Sequence, residues 1–325
     1  MLKEDNKEKC DDASTSSSDA CLAEIGFMFD AEQETKSKVL RFLPNTSKDD
    51  EISQQILPAY ENDGFMTEAV TVMVDCVDDD PGAVQSGHYL WPGAPALAQF
   101  LVDIFSSTQK SSLSEQLHED LFSHFFQSSQ TETERSKLNI IELGAGCGLA
   151  GLTTLQLPTF RNRIASLVFT DHDPGTLKRA EGNYHNTLRL KHDQSNDLDQ
   201  SELDLVQIFF EELTWGDKDN LKNLYKEMKE RNEFEISSFD IVLGSDLIYC
   251  EEVVKPLLES ISWLLKGSGS NDSSKSVMIM TQSFSYDIET ENAIDNACHE
   301  LSLNRFIVSC DLTSGGTRIQ VFSEK

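Results

Sequence analysis

The sequence predicts an α/β fold built round a mostly parallel sheet with helices on both faces. Three observations carry that reading. From Leu138 onward, apolar runs of strand length alternate with amphipathic stretches of helix length, as in a parallel sheet covered on both sides. The first run ends in a glycine-rich turn, "IELGAGCGLAG" at 141–151, where the backbone must come close to something. The last two runs have only "DLTSGG" between them. A parallel pair needs a crossover of a dozen or more residues, so these two pair antiparallel and close the sheet with a hairpin.

Ahead of the sheet, residues 1–24 form a polar, charged tail with "ASTSSSDA" in its midst, expected to lack fixed structure. Residues 25–67 form an N-terminal extension that the pattern leaves unassigned, and the principal domain covers 68–325. "EAVTVMV" is rich in β-branched residues and opens a strand, and "DDDPGAVQSG" after it is turn material. In "HYLWPGAPALAQFLVDIF", Leu97, Phe100, Leu101, Ile104 and Phe105 recur at helical spacing behind a proline-bearing turn. Ser/Thr/Gln-rich stretches at 106–116 and 127–136 flank a short helix, "LHEDLFSHFF", whose His118 and His124 suit a solvated surface.

The strands of the alternating region are "LNIIEL", "SLVFTD", "DLVQIFF", "FDIVLGSD", "SVMIMTQ", "NRFIVSC" and "TRIQVFS". Helices are expected over 149–157, 175–187, 219–230, 251–265 and 286–301. In the fourth, Val254, Leu257, Leu258, Ile261, Leu264 and Leu265 make one apolar face, and Pro256 requires that it lie in the first turn. Ile288, Ile294, Cys298 and Leu301 repeat the pattern in the last.

Composition narrows the function classes. Lys plus Arg number 27 against 56 Asp plus Glu, a formal charge of −29. Nucleic-acid binders draw affinity from clustered Lys and Arg, so a nucleic-acid partner is not expected. Without a run of 18 apolar residues no transmembrane helix is expected either, and "MLKEDNKEKC" lacks the apolar core of a secretory leader. Seven cysteines stand singly with no C-x-x-C, which points to reduced thiols and a cytoplasmic or nuclear setting. The acidic surplus suits a solvated surface, or the steering of a basic partner.

Gly144, Gly146 and Gly148 follow the first strand of the alternating region. In open α/β sheets ligands bind beyond the carboxyl ends of the strands, at the switch in strand order. The second strand ends in "FTDHD", where a carboxylate can accept hydrogen bonds from both ribose hydroxyls of a nucleoside. Asp171 closes the strand directly and is the first candidate. Asp173 is the fallback, and it also suits a helix N-cap ahead of Pro174. Gly146–Gly151 spells G-x-G-x-x-G with Asp171 20 residues further on, as a nicotinamide dinucleotide site would want. The late position of the loop, the preceding Trp-Pro turn and helix, and the terminal hairpin favour S-adenosylmethionine over NAD.

Five strings then fall in order: "LWPGAPALAQFL", "IELGAGCGLAGL", "FTDHDPGTL", "EELTWGD" and "FDIVLGSDLIY". Together they resemble the seven-β-strand S-adenosylmethionine-dependent methyltransferases, specifically family 16, most of whose characterised members methylate lysine in proteins. The likeness runs from about Glu68 to the C-terminus. It implies a Rossmann-like, doubly wound, mostly parallel seven-stranded sheet with an antiparallel C-terminal strand. It also implies that Gly144, Ala145 and Gly146 wrap the methionine and ribose side of the cofactor, that Asp171 binds the ribose hydroxyls, and that Trp215 lies against the adenine, flanked by Ser245. Trp91 would help close the pocket, and Asp246 and Tyr249 would face the substrate as the catalytic pair. Each position also has a plainer use: Trp91 as a core aromatic, Ser245 as a small packing residue, Tyr249 as the start of a helix packed on the sheet. Cys147 and Cys250 read as inert small hydrophobes.

The expected chemistry is in-line displacement, in which a neutral amine attacks the activated methyl group and S-adenosylhomocysteine leaves. Methyl transfer from a sulfonium needs no metal, so "DHD" and "NYHN" are metal clusters only on paper. Asp246 would dock the cationic head of a lysine and Tyr249 would shape a narrow channel with cation–π attraction. The expected partner is a lysine-bearing, basic protein, met by a monomer, with the extension before Glu68 and the insertions at 106–137 and 188–203 selecting it. "QSFSYDIETEN", after the fifth strand, lacks the Arg of many relatives, which bears on substrate class. Histidine, a protein terminus or a small molecule stay open as acceptors, and a cofactor-binding scaffold without turnover stays open as a function of another class.

Overall fold

Nine strands and seven α-helices are placed in the computed structural model, which describes residues 35–44, 69–77, 87–105, 137–194, 206–232, 236, 238–266, 276–310 and 317–325. The expected polar tail at 1–24 and the expected helix with His118 and His124 lie outside the described residues. In chain order the strands are β1 (Thr35–Phe42), β2 (Val70–Val77), β3 (Leu138–Glu142), β4 (Ile164–Asp171), β5 (Gln207–Glu212), β6 (Ile241–Ser245), β7 (Val277–Gln282), β8 (Leu303–Cys310) and β9 (Arg318–Glu324). The helices are α1 (Gly93–Phe105), α2 (Leu149–Gln156), α3 (Pro158–Arg161), α4 (Pro174–Gln194), α5 (Lys218–Asn232), α6 (Val254–Lys266) and α7 (Ile288–Leu301).

The main sheet has seven strands in the order β5-β4-β3-β6-β7-β9-β8. Neighbours are parallel up to β7, and β9 runs antiparallel between β7 and β8, so the expected hairpin is present and its second strand is the one inserted. The chain steps outward from β3 to β4 to β5, then returns to place β6 on the other side of β3. That reversal opens a crevice at the carboxyl ends of β3 and β6.

Side chains alternate across the central strands because successive Cβ atoms point to opposite faces. Ile140, Leu243 and Ile279 join one core with Leu97 and Leu101 of α1 and Leu149 and Leu152 of α2. Ile141, Val242 and Met278 join the other, with Leu224 of α5, Leu257 and Ile261 of α6 and Ile294 of α7. Both faces are thus covered, which is why these strands read as continuous apolar runs. Pro256 lies in the first turn of α6, behind a 3-10 turn at Glu251–Val253. Ile288 departs from the expected apolar face of α7: it stands 70% exposed in the first turn. α4 continues to Gln194, into the stretch read as an insertion at 188–203.

β1 and β2 form a separate antiparallel pair. β2 buries Val70, Val72, Val74 and Cys76 in the first core and is tied to α4 by Asn183, whose side chain accepts from the Asp75 N–H at 2.7 Å. The same side chain donates to the carbonyl of Cys147 at 2.9 Å. The "NYHN" motif therefore joins β2 to the glycine loop through its first asparagine.

Candidate active site

β3 ends at Glu142, and its side chain turns back under the loop that follows. The carboxylate is fully buried and accepts the Gly151 N–H at 2.9 Å. Burial pushes its pKa up to about 8, opposed by hydrogen bonds from the Gly151 and Ala150 amides and reinforced by the charge of Asp171. Glu142 thus anchors the first turn of α2 and with it the loop 143–148. Within that loop Gly144 and Gly146 adopt left-handed φ values of 53° and 54°, which L side chains take up only at a cost. Other segments close onto the bare backbone. A Cβ on Gly144 would lie 2.8 Å from Leu247 and 3.2 Å from the Trp215 ring, and one on Gly146 would lie 3.0 Å from the Gly87 carbonyl.

Asp171, at the end of β4, is 6% exposed. Its carboxylate accepts the Gly146 N–H at 3.3 Å and the Asp173 N–H at 3.2 Å, and His172 Nδ1 lies 3.2 Å away. These are long bonds, and a carboxylate offers about four lone-pair sites, so acceptor capacity remains beside the glycine loop. The hydrogen bond to Asp171 raises the His172 pKa. Asp173 has the other role read for it: its carboxylate accepts both the N–H and the hydroxyl of Thr176 at 2.7 Å, capping α4. Burial works against ionisation there, but the Thr176 bonds hold the carboxyl below its ordinary value.

Ala145 is buried, and its N–H donates to the Thr170 carbonyl at 2.8 Å, so the glycine loop is stitched to the end of β4. Trp215 follows β5 and is half-buried. Its turn is fixed by the Gly216 N–H, which donates to Ser260 Oγ at 2.9 Å. Ser245 ends β6 and pairs with Thr281 of β7. Trp91 is half-buried and packs edge-on against Tyr89, with ring centroids 5.3 Å apart. Tyr249 does not pack on the sheet: it stands 63% exposed just before the 3-10 turn. Desolvation of its hydroxyl, then the nearby Cys250 and the charge of Asp171, hold that phenol above its ordinary pKa.

Asp246 sits at φ 53°, is 8% exposed, and spends both carboxylate oxygens on backbone amides: Gly93 at 2.7 Å and Ser283 at 2.6 Å. Burial raises its pKa against those bonds. The structure therefore gathers the ends of β3, β4 and β6 with the start of α1 into one crevice. Two cysteines border it. Cys147 is buried, its Sγ 3.5 Å from the His88 carbonyl, and burial pushes its thiol up to about 12. The Cys250 pKa is raised too, chiefly by desolvation, so both stay protonated thiols.

Three groups at the crevice were not singled out by their residue type. Gly87 lies over the glycine loop, Gly93 lies against Asp246, and Ser283 holds the other oxygen of Asp246. Only the string "LWPG" hinted at the second. Beside "QSFSYDIETEN", the Arg318 guanidinium of β9 lies 5.1 Å from the Tyr286 ring centroid and pairs with Glu291.

Comparison with known proteins places this geometry in a family. Protein N-lysine methyltransferase METTL21A of Danio rerio is 31% identical over 128 residues, 39% of this chain and 44% of that protein, so the chain spans less than half the length of this curated relative. Among solved structures, a SAM-dependent methyltransferase from Agrobacterium tumefaciens overlaps 78% of this chain and 66% of its own at 10% identity and a TM-score of 0.38. A methyltransferase from Pyrococcus furiosus overlaps 65% and 93% at 12% identity and a TM-score of 0.35. These overlaps are loose, and the fold rests on the strand order described above. The sequence model of family 16, described as lysine methyltransferase, matches residues 76–290, and the chain belongs to that family of S-adenosylmethionine-dependent methyltransferases.

Proposed function

We propose that this protein transfers a methyl group from S-adenosylmethionine to the side-chain amine of a lysine in a partner protein. The observation that carries the reading is the convergence, at the switch point between β3 and β6, of a left-handed glycine loop, a buried strand-end carboxylate and an exposed tyrosine. The residues present fit the cofactor. Asp171 keeps acceptor sites for the ribose hydroxyls beside the glycine loop. Gly144, Ala145 and Gly146 would carry the methionine side, and the Trp215 ring beside Gly144 would take the adenine. Ser245 at the end of β6 and the half-buried Trp91 would complete the pocket. When bound, the cofactor supplies a methyl group already activated by its sulfonium.

The chain's own task is then orientation and charge. A lysine ammonium has an ordinary pKa near 10.4 and must lose a proton before it can act as a nucleophile. Tyr249 presents its ring at the rim, where it attracts the ammonium through its π face and where solvent can take the proton. Asp246 supplies negative charge at the base of the same turn. Glu251 and Glu252 follow at the exposed edge, and with the overall charge of −29 they favour a basic partner segment and speed its encounter.

Incubation of the protein with tritium-labelled S-adenosylmethionine and a cell lysate, followed by acid hydrolysis of the labelled proteins, tests this. Label recovered as methyllysine supports the proposal. Label found only in small molecules, or as methylhistidine, overturns it, and cofactor binding without any transfer would establish the scaffold instead.

A further inference from the structure

The carboxyl end of β7 holds both sides of the crevice, through three consecutive residues. The Thr281 hydroxyl, fully buried, donates to the Gly93 carbonyl at 2.7 Å, and the Thr281 carbonyl accepts the Asp246 N–H at 2.9 Å. The Gln282 side chain, also fully buried, donates to the Ile248 carbonyl at 3.4 Å. The Ser283 N–H donates to Asp246 Oδ1 at 2.6 Å, while Gly93 donates to Oδ2 at 2.7 Å. The turn bearing Trp91 and the turn bearing Tyr249 are therefore bonded to the same strand end and to each other.

Chemistry specifies the residues. Two backbone N–H groups from different segments converge on one side chain, and only an acceptor-only group satisfies both. An asparagine would turn its NH2 against one of them. The left-handed backbone at Asp246 carries a cost that persists only where surroundings over-determine it, as these bonds do. At Gly93 a Cβ would lie 2.6 Å from Asp246 Oδ2, so the approach of α1 to the carboxylate requires glycine there. Gln282 is held from behind in turn: its Oε1 accepts from the Tyr286 hydroxyl at 2.8 Å, that hydroxyl accepts from Gln320 at 3.3 Å, and Gln320 accepts from Arg305 at 2.8 Å. A partly buried relay thus runs from the β8–β9 hairpin to the Tyr249 turn.

We infer that Thr281, Gln282 and Ser283 are the positioning element of the acceptor site, and that Asp246 acts through the Gly93 and Ser283 amides, locking the Trp91 turn to the Tyr249 turn. This deepens the proposed transfer and rests on it for one of its readouts. Loss of one such bond, on the order of a kcal/mol, corresponds to a change of about fivefold to tenfold in a local opening constant or a rate.

The test compares Thr281→Val, Thr281→Ser and Asp246→Asn with the wild type. The readouts are amide hydrogen exchange at Gly93 and Ser283, calorimetric affinity for S-adenosylmethionine, and the rate of label transfer to protein. Thr281→Val should raise exchange at Gly93 about fivefold or more and slow transfer at saturating cofactor comparably, with any loss of cofactor affinity through the Trp91 turn smaller than the loss of transfer. Thr281→Ser, which keeps the hydroxyl, should restore both, and Asp246→Asn should raise exchange at Gly93 or Ser283. Unchanged exchange in Asp246→Asn and Thr281→Val, failure of serine to restore, or cofactor affinity falling as far as transfer would each overturn the inference. A wild type that labels no protein would sink the lysine reading alone, and the exchange pattern would then decide the positioning element by itself.

Discussion

Replacing Glu142 by glutamine tests the anchoring of the glycine loop through the pH dependence of stability. The Glu142 pKa is raised from 4.5 to about 8, first by burial. Because the folded value lies above the unfolded one, the neutral acid is the form the fold favours. Its contribution is fully present below the unfolded value and is lost as pH rises through about 8. Integrating the proton uptake between about pH 6 and about pH 9 gives ~2.5 kcal/mol of stability lost by the wild type at this one site. Glutamine keeps an oxygen for the Gly151 N–H and carries no charge at any pH. Urea unfolding of both proteins across that range should therefore show the difference between the two profiles growing by ~2.5 kcal/mol in favour of glutamine, or by roughly 5 °C in thermal midpoint at about 2 °C per kcal/mol. Other titrating groups are common to both proteins and cancel. Parallel profiles would refute the reasoning and mean that Glu142 is ionised in the fold.

Further outcomes follow from the same geometry. Asp171→Asn should weaken S-adenosylmethionine binding about tenfold or more in calorimetry, since hydrogen bonds to a charged group are worth roughly 1.5–3 kcal/mol. Asp173→Ala should leave that affinity within about twofold and cost ~1 kcal/mol of stability in urea unfolding, as a lost helix cap does. Gly146→Ala forces a Cβ into a left-handed turn against the Gly87 carbonyl, and titration should show affinity falling about tenfold for a strain of roughly 1–2 kcal/mol. Tyr249→Ala removes an exposed ring. Its stability should stay within about 0.5 kcal/mol, while label transfer to protein falls about tenfold or more for loss of the cation–π wall.

The fold was legible where physics writes a period into the chain. Central strands such as Ile241–Ser245 and Val277–Gln282 are buried on both faces, so they appear as short unbroken apolar runs between amphipathic helices. β1 was not legible: "TKSKVLRF" buries only Phe42 and exposes most of its length, so its polar residues hide the strand, which pairing with β2 supplies. Ile288 failed for the opposite reason. It fits the helical spacing, but α7 starts there at its cap, Asp287, and its first turn lies beyond the core.

In the site, the capping role of Asp173 could be read from position alone, because a cap must precede its helix by a fixed number of residues. What sequence could not show is that Asp246 is shared by Gly93 and Ser283, residues 153 and 37 positions away. A backbone donor such as the Ser283 N–H carries no residue signature, and the side-chain bonds of Thr281 and Gln282 reach residues distant in sequence, so the three look like ordinary polar punctuation at a strand end.

The most direct test of the central claim is mass spectrometry of methylated lysines in cells with and without this protein. The account predicts that one or a few lysines, set in basic segments of a partner protein, lose their methyl groups when the protein is absent and regain them with the wild type but not with Asp171→Asn. An unchanged set of methylated lysines, with changes only among small molecules or at other residue types, would contradict it.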